Sequence, residues 1–225
     1  MILSLLSEEH KIIFLYSPKA GCTTAKLIFY DYVGIELPSF HFSVNSSIEW
    51  KSRHGKESPE PGGGILPENL EDYLVLQFCR NPYQRAVSSF LAHVEHGLGL
   101  DDGKNKCKQN LLSLVEFLLS IKNETLNCEH CLFHSKKQYM TDKVNEILKI
   151  EKLDQELIKI NNKYKLNLKN ISFQEHSYRA KIEKKQFPSI FLKSYEDYLD
   201  FEAVKLINEL YAEDIDFFGY EKLKT

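Results

Sequence analysis

The stretch that most constrains this chain runs from Ile12 to Tyr30. It opens with Ile12-Ile-Phe-Leu-Tyr16, five consecutive apolar residues rich in β-formers, which predict a buried strand. Ser17, Pro18 and Gly21 break that pattern. From Thr24 the apolar positions fall at Leu27, Ile28 and Tyr30, with Tyr32 beyond, which predicts a helix. A strand, a tight loop of small residues and a helix start together make an anion cradle. The first amides of a helix lack intrahelical acceptors, and the helix dipole is positive there. Gly21 allows close backbone approach to an anion. Lys19 places a point charge inside the loop, and Thr23 and Thr24 are expected to cap the helix and add hydroxyl donors.

The loop is not a Walker A motif, which requires Gly-x4-Gly-Lys-Ser/Thr with the lysine at the helix start. Here Lys19 precedes the glycine, and Cys22-Thr-Thr24 follows it. The alternative to a phosphate loop is an ordinary strand-to-helix turn with a solvated lysine.

Bulk properties narrow the field. The chain has 225 residues, 43% of them hydrophobic, enough for a sizeable core and a single domain over 1–225. The net charge of −3 gives no global field for nucleic acid, whereas an anionic small molecule needs only local positive charge. The N-terminal segment lacks a basic leader with a long apolar run, and no stretch is long and apolar enough to span a membrane. The expectation is a soluble, cytoplasmic chain or the soluble portion of a larger anchored protein. Five cysteines, an odd number, do not read as a disulfide framework and are expected as free thiols in a reducing compartment. Cys128-Glu-His-Cys131, with His134 and Cys107, is a lone Cys-x2-Cys pair with neighbours. A structural zinc site usually needs four well-placed ligands, so no metal is expected.

Further along, Phe40, Phe42 and Val44 alternate and predict a second strand near 40–44. Residues 51–67 form a loop rich in Gly, Pro and charge, suited to a lid, a substrate loop or a plain connector. Tyr73-Leu-Val-Leu-Gln-Phe-Cys79 is the clearest later strand, followed by a turn into a helix with Pro82 at a favoured early position. Leu111–Ile121 predicts a mostly buried helix. Leu153, Leu157, Ile160 and Tyr164 carry a helical stripe, Ser189–Tyr195 predicts a short strand, and Ala203–Tyr211 a helix. Strands alternating with helices predict an α/β three-layer sandwich with a central, largely parallel sheet. Ligands of such sheets bind beyond the carboxyl ends of the strands. The loops at 17–24 and 80–88 both follow predicted strands and could share one crevice.

The run Cys79-Arg-Asn-Pro-Tyr-Gln-Arg85-Ala-Val-Ser88 supports two incompatible readings. Cys79 and Arg85 have the Cys-x5-Arg spacing of a phosphatase loop, in which a low-pKa thiolate attacks. Against it, Pro82 lacks an N–H, no glycine is present, and Ala86 stands where a hydroxyl residue is expected. In the other reading Arg80 supplies a planar fork and Ser88 a hydroxyl to a phosphate. A nucleotide kinase with a degenerate loop and a non-catalytic binding domain also remain open.

The order Pro18-Lys-Ala-Gly-Cys-Thr-Thr24 after a strand resembles the 5′-phosphosulfate loop of sulfotransferases that use 3′-phosphoadenosine 5′-phosphosulfate (PAPS). Arg80-Asn-Pro-Tyr-Gln-Arg-Ala-Val-Ser88 resembles their 3′-phosphate segment, with Asn81 where most members carry Asp. Three further blocks resemble the carbohydrate sulfotransferases of membrane type: His134-Ser-Lys-Lys-Gln138, although their Trp and Pro are missing, Ile147–Asp154, and Glu209–Tyr220.

The resemblance implies a P-loop-like fold, no metal requirement, and PAPS as co-substrate with transfer to a hydroxyl of a carbohydrate. It assigns donor binding to Pro18, Lys19, Ala20, Gly21, Cys22, Thr23, Thr24, Arg80 and Ser88. It adds Arg179, since the family often places a loop over the nucleotide in that region. Lys19 is expected to neutralise the bridging oxygen as the sulfuryl group leaves. For the base, related enzymes carry a His or Glu between the second strand and the Arg80 strand, which ranks His54 first, His134 second and Glu49 third. Neither the acceptor nor the oligomeric state is legible.

Overall fold

The structure, a computed structural model, describes residues 3–34, 66–97, 113–126, 138, 143–171 and 194–225. In these segments the elements run β1 (Leu3–Ser7), β2 (Ile12–Tyr16), α1 (Cys22–Tyr32), β3 (Leu74–Cys79), α2 (Pro82–Gly97), α3 (Leu114–Lys122), β4 (Glu146–Lys149), α4 (Leu153–Tyr164), α5 (Phe201–Leu210) and α6 (Ala212–Phe217). Chain contacts cluster into two compact units, Met1–Cys79 with Met140–Ser172, and Arg80–Tyr139 with Phe173–Thr225.

The first unit is built on a four-stranded sheet in the order β1-β2-β3-β4. β2, β3 and β4 are parallel, with Phe14 opposite Leu76 and Leu76 opposite Glu146. β1 is antiparallel to β2, pairing Ser7 with Ile12 through a tight turn in which Lys11 takes φ 48°. All five residues of β2 are buried, as expected for a strand covered on both faces. Alternation assigns Phe14 to one face and Ile13 and Leu15 to the other. Phe14 meets Phe29 of α1 edge-on at 5.3 Å, so α1 covers the Phe14 face. In-register Glu146 shares that face, and its carboxylate takes hydrogen bonds from Lys163 (2.5 Å) and Tyr164 (3.0 Å) of α4. Ile13, Leu15, Tyr73 and Val75 form a cluster on the opposite face.

The second unit is helical among the described residues. Tyr83, Val87 and Phe90 of α2, Leu114, Phe117 and Leu118 of α3, and Val204 and Ile207 of α5 share one buried core. Ser113 and Glu116 form a reciprocal capping box at the start of α3, and Asp200 caps α5 through the Ala203 N–H at 2.8 Å.

The fold is thus mixed α/β with a mostly parallel sheet and flanking helices, as expected. β2, β3, α1, α2, α3, α4 and α5 form where the sequence predicts them, within a few residues at their ends. The predicted strand at 40–44 lies outside the described residues. Of the strand predicted at 189–195, only Ser194 and Tyr195 are described, and they lie in no strand. A single 3-10 turn, Glu196–Tyr198, follows. β1 was not predicted. The chain breaks helix at Tyr211 and starts again as α6, whose packing rests on buried Ile215.

Candidate active site

The loop after β2 is built by three backbone choices. The Ala20 N–H returns to the Ser17 carbonyl at 3.2 Å, closing a four-residue turn. Pro18 fits its second position, and Lys19, third, takes φ 62°. A left-handed lysine is strained by about 1–2 kcal/mol, so this turn would favour glycine on backbone grounds alone. Gly21 follows as the N-cap of α1 with φ 83° and ψ 27°. A β-carbon there would press on Ile150 Cδ1 and lie 2.7 Å from Ile150 Cγ1. Glycine is required at this position by conformation and by space together. Ile150 directly follows β4, so the carboxyl end of that strand shapes the loop.

Two expectations change here. Thr23 and Thr24 do not cap α1. The helix begins at Cys22, with Gly21 as a cap that has no side-chain hydrogen bond, which places both threonines inside the first turn. The Ala20 amide serves the turn, which leaves the amides from Gly21 to Thr24 as those without an intrahelical acceptor. No acidic residue occupies the first turn of α1 to compete for them.

Two polar side chains at the end of β2 and the start of the loop are buried. Ser17 is 2% exposed, and its Oγ has no hydrogen-bond partner among the described residues. The Tyr16 hydroxyl is likewise buried without one. Burial, then the neighbouring Cys22 and Tyr30, push the Tyr16 phenol well above its ordinary range. Lys26, one turn into α1, lies 5.7 Å from the centre of the Tyr16 ring. Burial pushes its ammonium below the usual lysine range, against an opposing pull from Cys22. Helix-start amides without an intrahelical acceptor, next in sequence to a lysine, suit a phosphate or sulfate.

The turn after β3 is built differently. The Asn81 side-chain oxygen accepts from the N–H of Tyr83 (3.0 Å) and Gln84 (3.4 Å), and its carbonyl takes the first helical bond from Arg85 at 2.9 Å. Asn81 is therefore the N-cap of α2, with Pro82 at the first helical position. Arg80 is held through its main chain. Its N–H donates to Gln138 Oε1 at 2.8 Å, and its carbonyl accepts from Gln138 Nε2 at 2.7 Å. The Gln138 N–H in turn donates to both oxygens of buried Asp214, at 2.8 and 2.9 Å. Arg85 is 1% exposed, with its guanidinium 5.9 Å from the Tyr211 ring. Burial lowers its pKa, opposed by Tyr211 and Asp214. Burial also pushes the Tyr211 phenol up to about 12.

Cys79 is a fully buried residue of β3 and Arg85 is engaged with Tyr211 and Asp214. Neither suits the accessible thiolate and anion-facing arginine that the Cys-x5-Arg reading requires.

Pro18 to Thr24 thus lie on one continuous element. β2 and β3 are parallel neighbours, so their carboxyl-terminal residues, Tyr16 and Cys79, lie at the same end of the sheet. Ser88 is partly exposed on α2, two turns after Asn81. His54, His134, Glu49 and Arg179, with Cys107, Cys128 and Cys131, lie outside the described residues. His10 bonds Ser7 in the β1–β2 turn, and His93 is buried against Phe117, so neither stands at the loop. Among the described residues no group of three or more metal-ligating side chains is placed to hold an ion. No helix among them is long and apolar enough to cross a membrane.

Sequence reasoning missed Ile150, Gln138 and Asp214. A Gln138 signal was present in the block His134–Gln138, and an Asp214 signal in Glu209–Tyr220, but neither carried a role. A family model described as "Sulfotransferase family" matches residues 4–221, nearly the whole described chain. No curated protein and no solved structure matches it.

Proposed function

The chain belongs to the sulfotransferase family, whose members move a sulfuryl group to a hydroxyl-bearing acceptor, and from that premise we propose that its donor is PAPS and its acceptor a carbohydrate. The observation that carries the reading is the loop between β2 and α1. It combines an uncapped helix N-terminus, a glycine held close by Ile150, and a lysine kept at positive φ.

In this reading the acceptor oxygen attacks sulfur while the bond from sulfur to the 5′-phosphate oxygen breaks. The products are a sulfate ester and adenosine 3′,5′-bisphosphate, and the acceptor proton passes to a base. The chain supplies position and charge more than covalent chemistry. The amides from Gly21 to Thr24 hold the 5′-phosphate, and Lys19 neutralises charge building on the leaving oxygen. Arg80 and Ser88 take the 3′-phosphate, with Arg179 as a further contact to the nucleotide. The base is His54, ahead of His134 and Glu49. The P-loop-like loop belongs to a three-layer frame in which residues 1–225 act as one domain. A family model running through both compact units supports that part of the reading.

The test is retention of the chain on immobilised adenosine 3′,5′-bisphosphate, with release by PAPS but not by ATP, followed by label transfer from PAPS to a panel of glycans. Release by ATP alone, or hydrolysis of an aryl phosphate, would remove the proposal.

A further inference from the structure

The second unit contains a chain of buried and part-buried hydrogen bonds that the proposed chemistry does not use directly. Gln138, 0% exposed, binds the Arg80 main chain with both ends of its amide, as a neighbouring strand would. This pairing spans 58 residues of sequence. Gln138 is fixed in turn, because Asp214, also 0% exposed, accepts its N–H with both carboxylate oxygens. Asp214 favours the charged form of buried Arg85, against the effect of burial. A buried carboxylate without such a partner would be costly. The order is Asp214, Gln138, Arg80, and it ends on the main chain of a residue one peptide bond past β3.

A side-chain amide that holds both main-chain groups of one residue does one thing well. It fixes the φ and ψ of the residue it holds, and so the direction in which that residue's side chain leaves the backbone. Asn81 fixes the other side of the same residue by capping α2. An arginine on a loop loses affinity through the freedom of its own backbone as well as of its long side chain. We propose that Gln138, anchored by Asp214, is a positioning residue that aims Arg80 at the 3′-phosphate of the donor nucleotide. This rests on the reading of Arg80 as the 3′-phosphate contact.

The test is a double-mutant cycle on the full chain. Binding of adenosine 3′,5′-bisphosphate and of adenosine 5′-monophosphate is measured by calorimetry for Gln138→Met, Arg80→Ala and the double variant, with thermal melting alongside. Gln138→Met keeps the side-chain volume and leaves the bond from its N–H to Asp214 in place. The expected result is about a tenfold loss of affinity for the bisphosphate with Gln138→Met, and little change for the monophosphate. The double variant should bind no more weakly than Arg80→Ala, since an aiming residue has nothing left to aim. Equal losses for both nucleotides, or losses that add to those of Arg80→Ala, would overturn the inference. Gln138→Glu is the second variant, which keeps the acceptor for the Arg80 N–H and loses the donor to its carbonyl. A partial loss confined to the bisphosphate is expected. Failure of both Gln138 variants to fold would place Gln138 in the core alone and overturn the inference as well. The underlying reading fails separately: Arg80→Ala would then weaken both nucleotides alike.

Discussion

Two segments follow β2 and β3, whose carboxyl-terminal residues lie at the same end of the sheet, and each starts a helix. Their ends are finished in opposite ways. At α1 the cap is Gly21, without a side-chain hydrogen bond and without an acid in the first turn. At α2 the cap is Asn81, whose oxygen already takes the amides of Tyr83 and Gln84. Among the described residues, no side chain caps the first helix start. The second is satisfied from within and can offer only side chains. Helix starts of otherwise equal geometry can therefore be sorted by which of their amides the chain itself has already used. By that standard the loop 17–24 is the one proposed to cradle an anion, and the turn 80–82 the one proposed to mount Arg80.

The largest effect should come from Lys19. Lys19→Ala is expected to lower turnover by about 10²–10³-fold, the scale for removing one preorganised group that faces developing charge. Affinity for adenosine 3′,5′-bisphosphate should fall much less. Lys19→Gly makes the contrast sharper, because φ 62° suits glycine. That variant should melt no lower than the wild type while losing the same activity. Equal losses in turnover and product binding would reduce Lys19 to a ground-state contact.

Gly21→Ala comes next. The left-handed backbone costs about 1–2 kcal/mol for alanine, and the clash with Ile150 adds about 1–3 kcal/mol of overpacking. Urea denaturation should show a loss in the sum of those ranges. Ile150→Val in the Gly21→Ala background should return part of the packing cost and none of the backbone cost. A Gly21→Ala chain of unchanged stability would mean that the loop is not held as described.

How much of this was legible in the sequence differs between the two segments. β2, β3 and α1 were readable because two short, mostly apolar runs are bounded by Ser17, Pro18 and Gly21, or by Asn81 and Pro82. β1 was missed because Leu-Ser-Leu-Leu-Ser at a chain start gives too short a pattern, and only pairing with β2 makes it a strand. Thr23 and Thr24 misled because hydroxyl residues before a helical run usually cap it. Gly21 caps instead, and what decides this is a torsion angle that composition does not reveal. Gln138 and Asp214 were visible only as parts of blocks, since main-chain clamps across 58 and 76 residues leave no local pattern.

Arg80→Ala should cost about 1.5–3 kcal/mol in binding adenosine 3′,5′-bisphosphate, as for a charge-assisted hydrogen bond. Arg80→Lys should recover less than half of that, since a point charge lacks the planar fork. Both losses should shrink for a nucleotide without the 3′-phosphate. A lysine that restores full affinity would show that charge, rather than aimed geometry, is what the mount provides.

The smallest effect belongs to Asn81, and it bears most directly on the contrast between the two helix starts. Asn81→Ala removes the cap of α2 and should lower stability by about 1 kcal/mol. Asn81→Asp keeps an oxygen in place and adds a charge at the positive end of the helix, so it should be neutral or stabilising by about 0.3–1 kcal/mol. Neither change touches an amide that an anion is proposed to use. Affinity for adenosine 5′-monophosphate should therefore stay level across wild type, Asn81→Ala and Asn81→Asp. Thermal melting and calorimetry on the three chains separate the outcomes. If Asn81→Ala left the melting temperature unchanged and instead altered monophosphate affinity, the amides of Tyr83 and Gln84 would be serving a ligand. The turn after β3 would then be a second open cradle, and the sorting of helix starts by their own caps would fail in this protein.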